Sequence, residues 1–437
     1  MTISIFRRAS LVLLGLAIAQ AAPAQTNPST ASAIAAVRAN PANPEASFRL
    51  AQVAAQTGDF RTAISALERI LILNPNLANI KLELGILYLR AGSPALAESY
   101  ISEALQSPDV PPEVRARAAE LQLSATEADQ RLRIAGSASL GLISDTNANS
   151  GPAEGTTIGT LTIDPDDAET ADVSAFASVS GRLRYDLGLQ AGHLAALDVD
   201  LYTRQYADQS DLNTTRLGAA VGVDLNTART FGFPSDVLLR YAASTLSRDG
   251  EDYLTTTGPS VTFRAATEGG LQTSTRLYSF EQDYQPTTAA PANDNRDGRE
   301  TGLSFTASRA IDDVSAIELT FAGLDKSAEE GFEAYQQFSL GAAYTRQIDP
   351  LYDLGAGDWI VGLGASVASR SFDAPDPVIS ATEAQSDTIL SVNASLSVPL
   401  NDTTAVRTEL GYISQSSNYD LDTFDNTYVS VSLSRRF

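Results

Sequence analysis

The chain has 437 residues, a formal net charge of −23 and a pI near 4.4, so it offers no basic face for the phosphates of nucleic acid. It contains no cysteine and a single histidine, His193, which excludes a disulfide framework, a thiolate nucleophile and a histidine cluster for metal. Its length is enough for two domains, or for one large barrel with an appended domain.

Residues 1–24 have the pattern of a secretory signal peptide. Arg7 and Arg8 supply the charged region, an apolar run spans residues 11–19, and residues 22–24 form a small-x-small cleavage site. No cysteine follows that site, so the mature chain is not predicted to be a lipoprotein. No later apolar run approaches the ~20 residues that a membrane helix needs. The sequence therefore predicts an exported chain that is either soluble or a β-barrel.

The second predicted unit, residues 25–131, is rich in Ala and Leu at helical spacing and carries an internal repeat. Pro41 recurs as Pro75, and Gly58 recurs as Gly92, at the same separation of 34 residues. This pattern resembles the tetratricopeptide repeat (TPR), in which small residues let two helices approach closely.

Two and a half repeats would form a short α-solenoid with a concave face that binds peptides. Because so few repeats are rarely stable alone, we consider packing of this face against other parts of the protein equally compatible with the pattern. The predicted groove residues are Phe48, Gln52, Gln56, Leu82, Ile86 and Arg90.

From residue 132 onward an alternation with a period of two replaces the helical period, which predicts strands with one apolar and one polar face. The polar face consists mainly of Ser, Gly, Ala and Asn with charges of both signs, and this composition suits a water-filled lumen better than the surface of a soluble sandwich. Fourteen strands are predicted, beginning near residues 133, 172, 193, 212, 236, 252, 270, 298, 314, 335, 358, 386, 403 and 427.

The connections between these strands alternate in length. Those near residues 145–171, 284–297 and 373–385 are long, whereas most of the intervening ones are tight turns. This asymmetry is typical of outer-membrane barrels, in which both chain ends of the barrel lie on the periplasmic side. The predicted fold is α + β multidomain: a short periplasmic TPR α-solenoid, followed by a 14-stranded antiparallel transmembrane β-barrel at residues 132–437. Aromatic residues near the strand ends predict interface girdles. They are Tyr185, Tyr202, Tyr241, Phe263, Tyr278, Trp359, Tyr412 and Tyr428.

The last residues, 427–437, alternate strictly. The apolar residues from Val429 to Leu433 share a face with the terminal Phe437, and this arrangement resembles the closing strand of a bacterial outer-membrane barrel. Phe437 is accordingly predicted to be a barrel-closing signal that the barrel-assembly machinery recognises. Arg435 lies on the apolar face, which is tolerable because a lipid-facing Arg costs only about 0–1 kcal/mol near a strand end. A terminal strand of a soluble sandwich is the alternative.

No catalytic pattern stands out, so no enzyme activity, cofactor or bound metal is predicted. Paired acids such as Asp198 and Asp200 are able to perform acid–base chemistry, but a polar lumen in which Arg204 and Arg216 balance them is favoured. The first outer loop is acidic from Asp145 to Glu169, which favours a solvated loop over a site for Ca²⁺ or for a basic partner. The predicted lumen residues are Asp198, Asp200, Arg204, Arg216, Asp224, Glu318, Arg407 and Glu409.

The combination of signal peptide, short TPR unit and barrel resembles the surface lipoprotein assembly modulator (Slam) family. The resemblance covers most of the mature chain, and its motifs are Gly136-Ser-Ala-Ser-Leu-Gly141 and Asp145-Thr-Asn-Ala-Asn149. It implies a protein of the cell outer membrane whose barrel moves surface lipoproteins or secreted proteins, while the periplasmic TPR domain assists capture of the polypeptide client. Outer-membrane lipid and the barrel-assembly machinery are the other implied partners, and no catalytic residues are implied.

Two rival functions fit the same layout. A TPR–barrel exporter of a secreted polysaccharide is similar in organisation but usually carries far more repeats, and the acidic residues expected in the loops and lumen would suit a cationic polymer. A general outer-membrane channel, in which the TPR domain only tethers a partner, is the third possibility.

Overall fold

The computed structural model describes residues 28–106, 115–119, 121–122, 131–158, 161–162, 168–189, 191–267, 269–352 and 356–437. The predicted signal peptide lies outside these residues, as does much of the acidic stretch of the first outer loop. The chain divides into two compact units, Met1–Asp129 and Gln130–Phe437.

The described part of the first unit contains five complete helices and a further helical segment at residues 115–119. Helix α2 packs against α3, and α4 packs against α5. Capping side chains help to start them, since Asn43 Oδ1 accepts backbone N–H groups of α2 at 2.9 and 3.1 Å. Gly58 and Gly92 follow equivalent helices with φ of 77° and 73°, a left-handed conformation that favours glycine and explains why this residue recurs. The helices are Pro28–Ala39 (α1), Pro44–Gln56 (α2), Phe60–Leu73 (α3), Ala78–Arg90 (α4) and Pro94–Leu105 (α5).

The core of the helical unit depends on small residues at the helix contacts. Ala54, Ala63 and Ala97 are fully buried. A Cβ on Gly85 would lie 2.6 Å from Cγ1 of Ile101, so only glycine allows α5 to approach α4 this closely. None of the described helices is long and apolar enough to cross a membrane.

The second unit is a closed antiparallel β-barrel of fourteen strands, as the sequence predicts. The largest difference in a strand start is at the closing strand, which is predicted near residue 427 and begins at Phe424. The strands are Leu132–Asp145 (β1), Asp172–Asp186 (β2), Leu194–Tyr206 (β3), Thr214–Asn226 (β4), Ser235–Arg248 (β5), Glu251–Ala266 (β6), Gln272–Tyr284 (β7), Gly298–Ala310 (β8), Ser315–Lys326 (β9), Tyr335–Ile348 (β10), Trp359–Phe372 (β11), Ser386–Pro399 (β12), Thr404–Ser417 (β13) and Phe424–Arg436 (β14).

The strand register separates an apolar outward face from a polar lumen face. Leu140, Leu142, Leu217 and Val221 are between 59 and 63% exposed and form part of a continuous outward apolar band. Their strand neighbours, which point to the opposite face, are mostly Ser, Gly, Ala and charged residues. A closed barrel with this distribution is of the outer-membrane type, because every strand edge is paired and apolar side chains face outward.

The two ends of the barrel differ. We call the end at which β1 begins and β14 finishes the terminal end, and the opposite end the loop end. The turn at 311–314 is typical of the terminal end, whereas the loop end carries the connections at 146–171, 285–297 and 373–385. One loop-end connection is short: Asp249 and Gly250 both have positive φ, which is the geometry of a two-residue hairpin.

The barrel closes between its first and last strands, and we call this junction the seam. Nine residue pairs, from Ser137↔Arg436 to Asp145↔Tyr428, form its ladder. At the terminal end Gly136 and Phe437 exchange two backbone hydrogen bonds of 2.8 and 3.0 Å. The Phe437 ring occupies the space above Gly136, where an added Cβ would lie 2.5 Å from it. Phe437 therefore completes the seam, and its role as an assembly signal stays a prediction.

Candidate functional site

A closed ring of ion pairs lies on the lumen face of strands β2–β5. Arg184 contacts Asp198 at 2.7 Å and Asp224 at 2.8 Å. Arg240 contacts Asp198 at 2.9 Å and also Asp224. Each arginine thus bridges both aspartates, and we call these four residues the quartet. The Arg240 side chain is only 9% exposed, so the quartet is part of the wall and is not free to bind a passing molecule.

The other predicted lumen residues also face the lumen, in smaller groups. Asp200 pairs with Arg216, and Arg407 pairs with Glu409 at 2.7 Å. Glu409 accepts a further hydrogen bond of 2.9 Å from the Tyr428 hydroxyl. Glu318 is exposed beside a cavity of about 640 Å³, and it has no ion-pair partner among the residues that the structure describes.

The lumen carries charges of both signs, as the composition of the polar strand faces predicts, and it lacks the acidic excess that the cationic-polymer alternative assumes. Basic residues on the lumen face match or slightly exceed the acidic ones, and the acidic excess of the chain lies mainly in the connections between strands. That part of the argument for a cationic polymer is wrong, because net charge alone does not reveal which face carries it. The inward basic residues are Arg133, Arg182, Arg184, Arg204, Arg216, Arg240, Arg248, Arg264, Arg276, Lys326, Arg370, Arg407 and Arg436. The inward acids are Asp145, Asp172, Asp186, Asp198, Asp200, Asp224, Asp236, Glu251, Glu300, Glu318, Asp387 and Glu409.

Several aromatic rings lie over glycines of a neighbouring strand on the lumen wall. The Phe176 ring covers Gly141, where an added Cβ would be 2.6 Å from Cε1. The Tyr278 ring lies over Gly302 in the same way, and the Tyr428 ring over Gly411. Tyr202 also faces the lumen, and its ring stacks with that of Phe176 at 6.3 Å between centroids. The girdle prediction is therefore wrong for Tyr202, Tyr278 and Tyr428, because the strand register places these rings inside. The other five predicted aromatics occupy outward-facing positions of the ladder: Tyr185, Tyr241, Phe263, Trp359 and Tyr412.

These rings occupy the space above the glycines, and this packing has a measurable consequence. Replacing Gly302 with alanine is expected to displace the Tyr278 ring toward the lumen axis and to lower single-channel conductance in planar bilayers. The matched control is Gly341→Ala, because an added Cβ there meets nothing nearer than Ser366 Cβ at 3.6 Å. Equal conductance changes in both variants would contradict this explanation.

Toward the loop end, cationic side chains lie over tyrosine rings. Lys326 is 3% exposed, and its Nζ lies 4.6 Å from the centroid of the Tyr284 ring. Arg296 lies 5.1 Å from the same ring, and Arg370 lies 4.9 Å from that of Tyr335. Sequence reasoning missed this cluster, because its members come from separate strands and loops. Such cation–π contacts stabilise one side of the wall.

The Asp145-Thr-Asn-Ala-Asn149 motif closes the seam at the loop end. Asn426 Oδ1 accepts hydrogen bonds of 3.1 Å from the backbone N–H groups of Thr146 and Asn147. Asn426 Nδ2 donates to Asp145 Oδ1 at 2.9 Å. Asn147, 1% exposed, donates from Nδ2 to the carbonyls of Gly151 and Asp425 at 2.8 and 3.0 Å. We call this network the seam clasp.

The clasp also anchors neighbouring strands and the first outer loop. Asp145 forms an ion pair with Arg204, whose Nε donates to Ser174 Oγ at 2.8 Å. Asn149 Nδ2 donates to the Ala168 carbonyl at 2.7 Å and thereby holds the returning end of the loop. Asp145 is therefore committed to structure. No cluster of acidic and histidine side chains suited to a metal ion is found among the described residues.

The connection between β13 and β14 contains a perturbed carboxyl. Burial raises the pKa of Asp422 to about 6, with further contributions from Asp387 and Asp376, while a hydrogen bond from Gln385 opposes the shift. Because the pKa of Asp422 in the folded barrel exceeds its ordinary value of 3.8, the protonated carboxyl stabilises the fold fully below about pH 3.8, and this stabilisation is lost as the pH rises through 6.

We therefore expect Asp422→Asn to stabilise the barrel at pH 7.5 by about 1–2 kcal/mol, after allowance for partial solvent screening. Urea unfolding at pH 7.5 and at pH 4 would test this, since the extra stability of the variant should disappear at pH 4. An advantage that is equal at both pH values would show that the charge of Asp422 is not its cause.

On the helical unit, the predicted groove residues do not all reach the surface. Phe48, Gln52, Gln56 and Arg90 are exposed, and Ile86 is half-buried. Leu82 is 3% exposed and packs against Ala97, Ile101 and Ala118, so including it in the groove was wrong. Leu82 is buried because the helical segment that contains Ala118 covers this side of α4. The repeat pattern alone does not predict the position of that segment.

Comparison with known proteins agrees with the helical fold. The tetratricopeptide repeat family matches residues 16–78 and 54–113, so the first unit carries TPR repeats. No curated protein matches the chain.

The solved structures to which this chain is similar include outer-membrane proteins and a secretion chaperone. A bacterial polysaccharide outer membrane secretin has 10% identity over 69% of this chain and 98% of its own, with a TM-score of 0.35. An anion-selective porin from Comamonas acidovorans has 10% identity over 70% of this chain and 99% of its own, with a TM-score of 0.36. The Yersinia enterocolitica type III secretion chaperone SycD, in complex with a peptide of the translocator YopD, has 14% identity over 23% of this chain and 79% of its own, with a TM-score of 0.22.

Proposed function

We propose that this protein is a polypeptide transporter of the outer membrane, similar to the Slam family. Residues 1–24 would direct export, residues 25–131 would form a periplasmic capture domain, and residues 132–437 would form the conduit. The observation that carries the proposal is the pairing of TPR repeats with a barrel whose lumen face is polar and largely self-neutralised.

The capture step would use the exposed face of α2 and α4. Phe48 supplies an apolar contact, and Gln52 and Gln56 supply amide groups that are able to bond an extended backbone. Arg90, whose guanidinium lies 4.9 Å from the Phe60 ring centroid, supplies a positive charge at the end of α4. A mixed surface of this kind holds a chain weakly, which suits transfer to the barrel.

The passage step would depend on a lumen wall with few unpaired charges. The quartet and the Asp200–Arg216 pair satisfy their own charges, so a passing chain has few strong partners to displace. The wall around a second cavity of about 350 Å³ is lined by small residues such as Gly341, Gly364 and Ser391. An unfolded segment would move along such a wall without tight binding, and folding outside the cell would bias the direction.

Export of a polysaccharide is the second candidate, and the recessed aromatic rings favour it. Flat rings such as those of Tyr278 and Phe280, stacked at 4.9 Å between centroids, offer faces against which sugars pack. The small number of repeats favours the polypeptide.

A deletion in the native host distinguishes the two candidates. Removing residues 25–131 or the whole protein is expected to remove one or a few proteins from the surface of intact cells, measured by protease shaving and mass spectrometry, while exopolysaccharide stays unchanged. Loss of polysaccharide with an unchanged surface proteome would reject the polypeptide reading.

A point variant tests the capture face specifically. Phe48→Asp is expected to reproduce much of the loss that the deletion causes. The matched control is Ile72→Asp, because Ile72 is 80% exposed on α3, away from the proposed groove, and should tolerate the same change.

A further inference from the structure

The carboxylate of Glu318 differs from the other acids of the lumen face. Each of those acids forms an ion pair or accepts a hydrogen bond. Asp200, for example, pairs with Arg216, and Glu300 accepts a hydrogen bond of 2.8 Å from the Tyr278 hydroxyl. Glu318 does neither among the residues that the structure describes, and it is exposed to the lumen. The described lumen wall therefore presents one acid that is free of partners.

The strand ladder surrounds Glu318 with uncharged side chains. Glu318 lies near the start of β9, opposite Ser308 of β8 and Ala343 of β10. The next positions on the same face of the three strands are also uncharged, and they are Thr306, Ala310, Ala316, Thr320, Gly341 and Thr345. Because no lysine or arginine occupies a neighbouring position of the ladder, the negative charge of Glu318 is not compensated by the wall around it.

Glu318 also lies where two cavities of the lumen wall meet. It lines both the cavity of about 640 Å³ and the cavity of about 350 Å³. The other charges of the larger cavity are already paired, since Arg264 donates to Asp236 at 2.8 Å and Asp224 belongs to the quartet. Gln272 and nearby hydroxyl groups line the same cavity and supply neutral hydrogen-bond acceptors. The site thus combines room for a side chain with a single uncompensated negative charge.

We infer that Glu318 binds a cationic group of the translocated polypeptide, the ammonium of a lysine or the guanidinium of an arginine, near the terminal end of the lumen. This inference rests on the proposed function and names the chemistry of the client. A carboxylate on a lumen with low-dielectric walls attracts a cation more strongly than one on an open surface. The net charge of −23 would steer the same cationic segment toward the barrel.

The purified full chain in planar bilayers tests the inference without knowledge of the client. Poly-L-lysine and poly-L-glutamate of equal length would be added to each side in turn, and the half-blocking concentration measured. Poly-L-lysine is expected to block at the lower concentration. Glu318→Gln should raise its half-blocking concentration about fivefold at low salt, and high salt should abolish the difference. The same variant should shift the reversal potential under a KCl gradient toward anion selectivity.

The matched control is Asp313→Asn, which removes the same charge at the same end of the barrel, but from the exposed turn before β9. Stronger block by poly-L-glutamate, an equal effect of the control, or an unchanged reversal potential in Glu318→Gln would overturn Glu318 as a binding point. Stronger block by a chitosan of equal charge than by poly-L-lysine would overturn the polypeptide assignment. An unchanged surface proteome after deletion would instead reject the proposed function, whatever the block shows.

Discussion

Replacing Arg240 with methionine is expected to destabilise the barrel by about 3–5 kcal/mol, because it leaves two partly buried carboxylates with only one arginine between them. Arg240 bridges Asp198 and Asp224 from a side chain that is 9% exposed, and its removal makes both acids share Arg184. Methionine preserves much of the side-chain length, so the loss reports charge more than volume. Urea unfolding in lipid vesicles, followed by the fluorescence of the single tryptophan, Trp359, would measure the change.

The exposed ion pair of the same wall supplies the control. Arg216 and Asp200 have side chains that are 46 and 43% exposed, so Arg216→Met is expected to cost no more than about 1 kcal/mol. Similar losses for Arg216→Met and Arg240→Met would contradict the idea that burial and double bridging make the quartet special. A loss for Arg240→Met that persists when Asp198 and Asp224 are both replaced by asparagine would point to packing instead.

The quartet illustrates what alternation along a strand does and does not predict. The period of two placed Asp198 and Asp224 on the lumen face, and the structure agrees. It did not identify Arg184 and Arg240 as their partners, since Arg240 is 42 residues from Asp198 and the contact depends on strand register and tilt. Sequence therefore predicted which residues face inward, while charge pairing required the closed barrel.

The motif at the end of β1 also makes contacts that a sequence pattern does not predict, and its partners are still further away in the sequence. The sequence groups Asp145 with the acidic loop, which favours a solvated carboxylate over a Ca²⁺ site. In the structure it is 6% exposed and accepts from Asn426, which lies 281 residues away in the sequence. Only closure of the barrel brings these residues together, so the motif has a structural role that no local pattern indicates.

The second large effect is a loss of barrel stability, which we expect when Asn426 of the seam clasp is replaced by alanine. The substitution leaves the buried N–H of Asn147 without its acceptor and removes one donor from Asp145. Unsatisfied buried groups cost about 1–3 kcal/mol each, so we expect a total loss of about 2–4 kcal/mol. The Thr146 N–H also donates to the Thr427 carbonyl at 3.0 Å. The strand pairing between β1 and β14 should therefore be largely retained in the variant. Urea unfolding, together with the gel mobility of unheated samples, would measure the loss.

The neighbouring residue provides the control for the clasp. Asp425 is exposed, and it takes part through its backbone carbonyl, which accepts from Asn147 Nδ2 at 3.0 Å, so Asp425→Ala should leave the network intact. If the clasp holds the seam closed at the loop end, proteolysis of the folded Asn426→Ala barrel should begin within the first outer loop, since Asn149 tethers the end of that loop at Ala168. Cleavage that begins elsewhere, or an equal effect of Asp425→Ala, would show that ladder pairing between β1 and β14 suffices for closure.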